Sequence, residues 1–91
     1  MRFEWDEDKA QVNISNHGVD FFEAVTVFGD PLSVIYEDDE HSVAERRFLN
    51  IGMSAANRIL IISYTERDDI IRIISAREAT PKEIRAYEEE P

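Results

Sequence analysis

The sequence predicts an α+β domain in which segregated helices pack on an antiparallel meander, and three observations carry that prediction. Three β-rich runs, roughly 46–52, 58–65 and 70–77, follow one another through linkers of hairpin length, Ser54-Ala55-Ala56-Asn57 and Glu66-Arg67-Asp68-Asp69. Helix-start signals stand towards the two ends of the chain and not between those strands. With 91 residues there is room for one domain, 1–91, and no internal repeat, low-complexity linker or second domain is visible.

The elements read in order as β-α-α-β-β-β-β-α. Arg2-Phe3-Glu4-Trp5 alternates and carries two aromatics, which suits a short strand. Asp6 is placed to cap a helix whose first turn sets Glu7 and Asp8 against the positive end of the dipole. Val12 and Ile14 are its expected apolar contacts, and Gly18 is its stop. Asp20 opens a second helix with Phe21, Ala24, Val25 and Phe28 at helical spacing, ended by Gly29-Asp30-Pro31. Leu32 to Tyr36 is short and β-rich, and Glu37-Asp38-Asp39-Glu40-His41-Ser42 is a polar loop. After the three strands, Thr80-Pro81-Lys82-Glu83 combines a capping box with proline at the first helical position. The last helix presents Ile84 and Tyr87 on one face and runs into Glu88-Glu89-Glu90.

A chain of this size buries only about 60–65% of the surface it exposes when unfolded, so its core is thin. The absence of cysteine excludes disulfides, thiolate chemistry and a cysteine-based metal site. Ile59-Leu60-Ile61-Ile62, the longest apolar run, falls far short of the roughly 20 residues that cross a bilayer. Met1 to Asp6 has no apolar signal region, so a cytoplasmic location without membrane contact is expected.

The net charge of −10 opposes nucleic-acid binding at first sight, because phosphate contacts need a basic surface. The charge is unevenly spread, however. Residues 1–45 hold twelve acids against Arg2 and Lys9, whereas residues 46–91 balance eight acids with eight bases. Within 46–77 the six arginines Arg46, Arg47, Arg58, Arg67, Arg72 and Arg77 outnumber Glu66, Asp68 and Asp69. Arginine's planar fork suits bidentate contact with phosphate or carboxylate, so each can serve a ligand or simply pair with a nearby acid.

No cofactor or metal is expected. His17 and His41 are the only histidines and have no ligand spacing, and the acidic run 37–40 lacks the glycine and spacing of a calcium loop. Walker, dinucleotide and nucleophile-elbow motifs are absent. What remains is a set of arginines with a few acid–base groups, which fits phosphoryl transfer without metal. In RNA cleavage a base takes the 2′-OH proton, an acid protonates the leaving 5′-oxygen, and cations hold the extra negative charge. His17, Glu83, Tyr87 and Glu45 can supply the proton transfers. Each has a structural alternative: His17 can interact with the negative end of its helix, and Tyr87 can be a partly buried core residue.

Several blocks of the chain resemble one family. Phe3-Glu4-Trp5-Asp6-Glu7-Asp8-Lys9, with Asn13 and His17-Gly18-Val19, resembles the opening signature of BrnT toxins. Phe22-Glu23-Ala24, Val27-Phe28-Gly29-Asp30-Pro31-Leu32, His41-Ser42 with Glu45 and Arg47, and Ile51-Gly52 follow in order. Arg72-Ile73-Ile74-Ser75-Ala76-Arg77 with Ala79, Glu83 and Tyr87 completes a resemblance over essentially the whole chain.

That resemblance implies a RelE-like fold and a ribonuclease toxin that arrests translation. It also implies a BrnA-type ribbon-helix-helix antitoxin as partner, with operator DNA reached only through the antitoxin and RNA as substrate. Carried over by motif, Arg47, Arg67, Arg72 and Arg77 are expected to contact phosphate, and His17, Glu83 and Tyr87 to transfer protons or orient groups. Asn16, Met53 and Glu78 stand where relatives are often basic, which removes positive charge. A catalytically inactive module that keeps only the antitoxin contact is therefore the alternative reading. Geometry adds a condition: in an unbroken strand Arg72 and Arg77 point to opposite faces, so one site needs a bulge between them or Arg77 past the strand end. By the same parity at most one of Arg46 and Arg47 faces the site.

Overall fold

The computed structural model describes residues 1–42 and 44–89. Glu90, assigned to the acidic tail, lies outside the described residues. Two helices lead from a short first strand to the far edge of a five-stranded sheet, and a third helix follows the last strand.

β1 (Arg2–Glu4) leads into α1 (Glu7–His17). Asp6 caps α1 by accepting from the Lys9 N–H at 3.1 Å. Gly18 ends it with φ 67°, the left-handed conformation that glycine adopts without a Cβ penalty, and its N–H reaches the Ile14 carbonyl at 2.8 Å. Asp20 caps α2 (Phe21–Thr26) through the Phe22 N–H, and a 3-10 turn (Val27–Gly29) brings the chain to β2 (Val34–Glu37). A second 3-10 turn (Asp39–His41) precedes β3 (Phe48–Met53), β4 (Ile59–Arg67) and β5 (Ile70–Glu78). Asn57 turns the β3–β4 hairpin with φ 63°, and Asp68 and Asp69, at φ 52° and 67°, form the two-residue turn between β4 and β5. α3 (Pro81–Glu89) begins at the expected capping box: Thr80 N–H to Glu83 Oε1 at 2.8 Å, and Glu83 N–H to Thr80 Oγ1 at 3.3 Å.

β2 to β5 form the expected antiparallel meander, but the sheet as a whole is mixed. Its order is β1-β5-β4-β3-β2, and β1 pairs with β5 in parallel, Phe3 opposite Ile71. Hairpin-length linkers reveal antiparallel neighbours, whereas β1 joins its partner only after the whole chain has crossed over, which no local signal announces.

The core lies between α1, α2 and one face of the sheet. Phe21, Ala24, Val27, Val19 and Ala10 pack there against Leu60, Ile62, Tyr64, Ile71, Ile73 and Ala76. Burying a side chain of the size of Phe21 or Leu60 contributes about 1.5–3 kcal/mol. Edge-to-face rings extend the core: Phe3 on Phe28 at 5.2 Å, and Phe28 on Tyr64 at 5.0 Å. Gly52 is required by close approach, since a Cβ there would meet Ser33 Cβ at 2.8 Å.

α1 packs differently from its apolar pattern. Val12 and Ile14 are exposed, and the buried positions are Ala10 and Asn13. The reason is the free edge of β5 beyond the three residues that β1 covers. There Asn13 Nδ2 donates to the Ala76 carbonyl at 2.9 Å, its Oδ1 accepts from the Ala76 N–H at 3.1 Å, and Nδ2 also donates to Val19 O. One amide side chain thus completes the ladder where a strand is missing.

Candidate functional site

The β4–β5 ladder contains an irregularity that assembles the site. Ser63 pairs with Ser75, but the next residue, Tyr64, pairs with Ile73, so Ile74 is an extra residue in β5. Below the bulge Arg72 lies opposite Thr65; above it Arg77 lies opposite Ile61. Thr65, Ser63 and Ile61 alternate along β4 and share one face, so Arg72 and Arg77 share that face too. It is the face turned away from α1 and α2. The condition set by strand parity is met by the bulge.

Two depressions are lined by residues of this face. One, of about 350 Å³, is lined by Arg47, Ser63, Ser75, Arg77 and, from the loop before β3, Asp38 and His41. The other, of about 210 Å³, includes Glu4, Glu45, Thr65, Arg67 and Arg72. Glu45 also borders the surface by His41 and Arg47, which joins the two. Arg47, Arg67, Arg72 and Arg77 are therefore brought together along one groove. Arg46, by contrast, forks onto Glu37 at 2.9 and 2.8 Å, and Arg58 is tied to Glu23 and the Gly18 carbonyl. Those two arginines hold the fold.

The groove arginines are not equally free. Arg77 makes a two-bond fork with Glu83, at 2.9 and 3.0 Å, and Arg72 meets Glu4 at 2.8 Å. Among the described residues, Arg47 and Arg67 make no ion pair. The Arg77 fork is the main cause that pulls the Glu83 carboxyl down to about 2, against burial, with Thr80 adding to the shift. Glu83 is thus a fixed carboxylate at neutral pH, and it ties α3 to the sheet over Ile61, which is buried on this same face.

The other two predicted residues stand apart from the groove. Tyr87 donates to Asp30 Oδ2 at 2.6 Å, and that bond, with burial, pushes its hydroxyl up to about 12. His17 lines a shallow depression beside Lys9, Val12 and Asn16, across the edge of β5. Ile74 and Ser75 border both that depression and the arginine groove, so the bulge separates His17 from Arg77. Asn16, Met53 and Glu78 line neither arginine depression, although Glu78 adjoins Arg77 and Asn16 lies beside His17.

Sequence reasoning passed over His41 as a site residue. Its Nδ1 sits 2.9 Å from Asp38 Oδ2, where the imidazole N–H donates to the carboxylate. The loop is fixed behind it: Ser42 Oγ donates to the Asp38 carbonyl at 2.6 Å and accepts from the Arg47 N–H at 3.0 Å. Asp38 N–H in turn donates to the Arg47 carbonyl at 2.8 Å. An Asp-oriented imidazole beside two arginines is a usual acid–base arrangement. The signal available in sequence was the i, i+3 spacing of Asp38 and His41, which has meaning only once the 3-10 turn is known.

A family model described as the ribonuclease toxin BrnT of type II toxin–antitoxin systems matches residues 5–83. The chain belongs to the BrnT family. A solved structure agrees: the Brucella abortus ribonuclease toxin BrnT is similar at 25% identity with a TM-score of 0.68, over 88% of this chain and 97% of that one. No curated protein matches. The match to the BrnT model covers α1, α2, the whole meander and the start of α3, so the bulge and all four groove arginines fall within it. Among the described residues of this BrnT-family chain, no helix is long and apolar enough to cross a membrane.

Proposed function

We propose that this BrnT-family toxin is a metal-independent endoribonuclease that cuts RNA along the arginine groove and so inhibits translation in the cytoplasm. Its partner is a BrnA-type ribbon-helix-helix antitoxin of the RelE-like toxin pairs, through which alone it reaches operator DNA. The observation that carries the reading is the β5 bulge, which aligns Arg72 and Arg77 with Arg47 and Arg67 beside His41. His41, held by Asp38, takes the 2′-OH proton as the 2′-oxygen attacks the adjacent phosphorus. The bond to the 5′-oxygen breaks as that oxygen takes a proton from solvent water, leaving a 2′,3′-cyclic phosphate and a 5′-hydroxyl. Arg77, Arg72 and Arg47 hold the negative charge that builds on the phosphorane oxygens. Glu83 positions Arg77, Tyr87 anchors α3, and His17 extends the track across the β5 edge.

Labelled RNA incubated with the purified chain in excess chelator tests this. Cyclic-phosphate ends are expected, with His41→Ala and Arg77→Ala each slower by about 100-fold or more. Undiminished cleavage by both variants would place the chemistry elsewhere.

A second reading has its own observation. Asp38, Glu40, Glu45, Glu4 and Asp68 also line the groove, and Arg72 and Arg77 are already paired. A toxin-fold subunit that has lost cleavage and serves only the antitoxin would show intact RNA in the same assay while still binding its partner.

A further inference from the structure

The two edges of the sheet are treated differently. At one, β1 covers the first three residues of β5, and beyond it Asn13 satisfies Ala76 from α1. At the other, β2 has no neighbouring strand on its outer side among the described residues. The Asp38 N–H bond to the Arg47 carbonyl fixes which β2 residues face inward. Residues 34, 36 and 38 bond to β3, so Ile35 and Glu37 turn their N–H and C=O groups outward. Proteins usually protect such an edge with lysine, proline or a bulge, and Val34-Ile35-Tyr36-Glu37 has none of these.

Two apolar side chains beside this edge are exposed. Ile35 is 55% exposed and Leu32 72% exposed. They border a depression of about 640 Å³ between Pro31–Ile35 and the end of α3 at Tyr87 and Glu88. Acids predominate around it: Glu88 stands at one end of β2, and Asp38, Asp39 and Glu40 follow at the other, where Arg46 is already taken up by Glu37. An apolar edge with acidic ends fits an extended segment that carries apolar and basic residues. A second copy of this chain is disfavoured, because a two-fold β2–β2 pairing brings like acids together. RNA is repelled by the same acids.

We infer that the antitoxin adds an extended segment, with apolar residues between lysines or arginines, to β2 as a sixth strand. Its apolar side chains cover Ile35 and Leu32, and its basic residues meet Glu88 and the 38–40 turn. This inference deepens the toxin reading and rests on it for the existence of an antitoxin. The surface itself is separate from the arginine groove.

Ile35→Pro is the pointed test. Its missing N–H faces outward, so the bonds to β3 stay intact while strand addition is blocked. Leu32→Lys, which opposes a basic segment without touching the backbone, is the second variant. Affinity for the antitoxin of its own operon is measured for wild type and both variants, with thermal melts and RNA cleavage read on the same samples. Each variant is expected to weaken antitoxin binding by at least about 30-fold. Melting and cleavage should be unchanged, and in the wild-type complex the Ile35 and Glu37 amides should become protected from exchange. Unchanged affinity in both variants overturns the inference, as does protection of these amides in the free chain at high concentration, which would mean self-pairing. Loss of binding in the variants alongside a wild type that cuts no RNA would sustain the docking site while removing the nuclease.

Discussion

Glu83 and Arg77 show how one pair couples folding to the site. The fork both orients Arg77 and fastens α3, so Glu83→Gln keeps the shape and loses the charge. The lowered Glu83 carboxyl gives a stabilisation that is complete above the ordinary carboxylate value of 4.5 and is lost as pH falls towards about 2. Because Arg77 is nearly half exposed, solvent screening limits it to about 1 kcal/mol, to be read as the difference between wild type and Glu83→Gln in urea denaturation at pH 7 and at pH 2. Tyr87 has the opposite sign. Its raised hydroxyl stabilises the fold below its ordinary value of 10, and this is lost as pH rises through about 12. Tyr87→Phe should remove that alkaline dependence. Asn13 is the residue on which the β5 edge depends, and Asn13→Ala, leaving the Ala76 N–H and C=O without partners, should cost about 2–3 kcal/mol by the same denaturation measurement. The sequence marked Asn13 only as part of a family signature. Its partner is 63 residues away, and nothing local points to it.

At the scale of elements, β5 repays attention to its alternation. Ile71 and Ile73 sit two apart and face the core, but the next core residue is Ala76, three further on. That break in period is the bulge; the sequence only required a bulge or a strand end between Arg72 and Arg77, because Ile73-Ile74-Ser75-Ala76 does not itself show which residue is core. Deleting Ile74 restores regular alternation and leaves Arg77 four residues from Arg72, still opposite Ile61 on the groove face. We expect both that variant and Ile74→Ala to retain RNA cleavage, because the bulge acts by giving Arg72 and Arg77 a shared face; a folded deletion variant that no longer cuts RNA would contradict this. The capping box at Thr80, the stop at Gly18 and both hairpins were legible because each rests on residues within one turn. The 3-10 turn that brings Asp38 to His41 was not, because it is held by Ser42 and the backbone of Arg47.

Over the whole molecule, charge is sorted by surface. Glu88 and the 38–40 turn flank β2, Glu4, Asp38, Glu40, Glu45 and Asp68 line the groove, and four of the eight arginines line it with them. The net charge alone hides this, whereas the division at residue 46 separates the stretch that holds the four groove arginines from the acidic half. The mixed sheet follows from global connection, since β1 meets β5 only when the chain has folded around α1 and α2. Cleavage should fall with added salt as phosphate contacts are screened, and Arg47→Ala or Arg67→Ala should reduce that salt slope by about one each. The most direct test of the central claim is induced expression of the chain without antitoxin, with growth and RNA integrity followed in wild type, Arg72→Ala and Arg77→Ala. The account predicts arrest with fragmented RNA in the wild type, and normal growth with intact RNA in both variants at equal levels of folded protein. Normal growth and intact RNA from abundant, folded wild-type protein would contradict it.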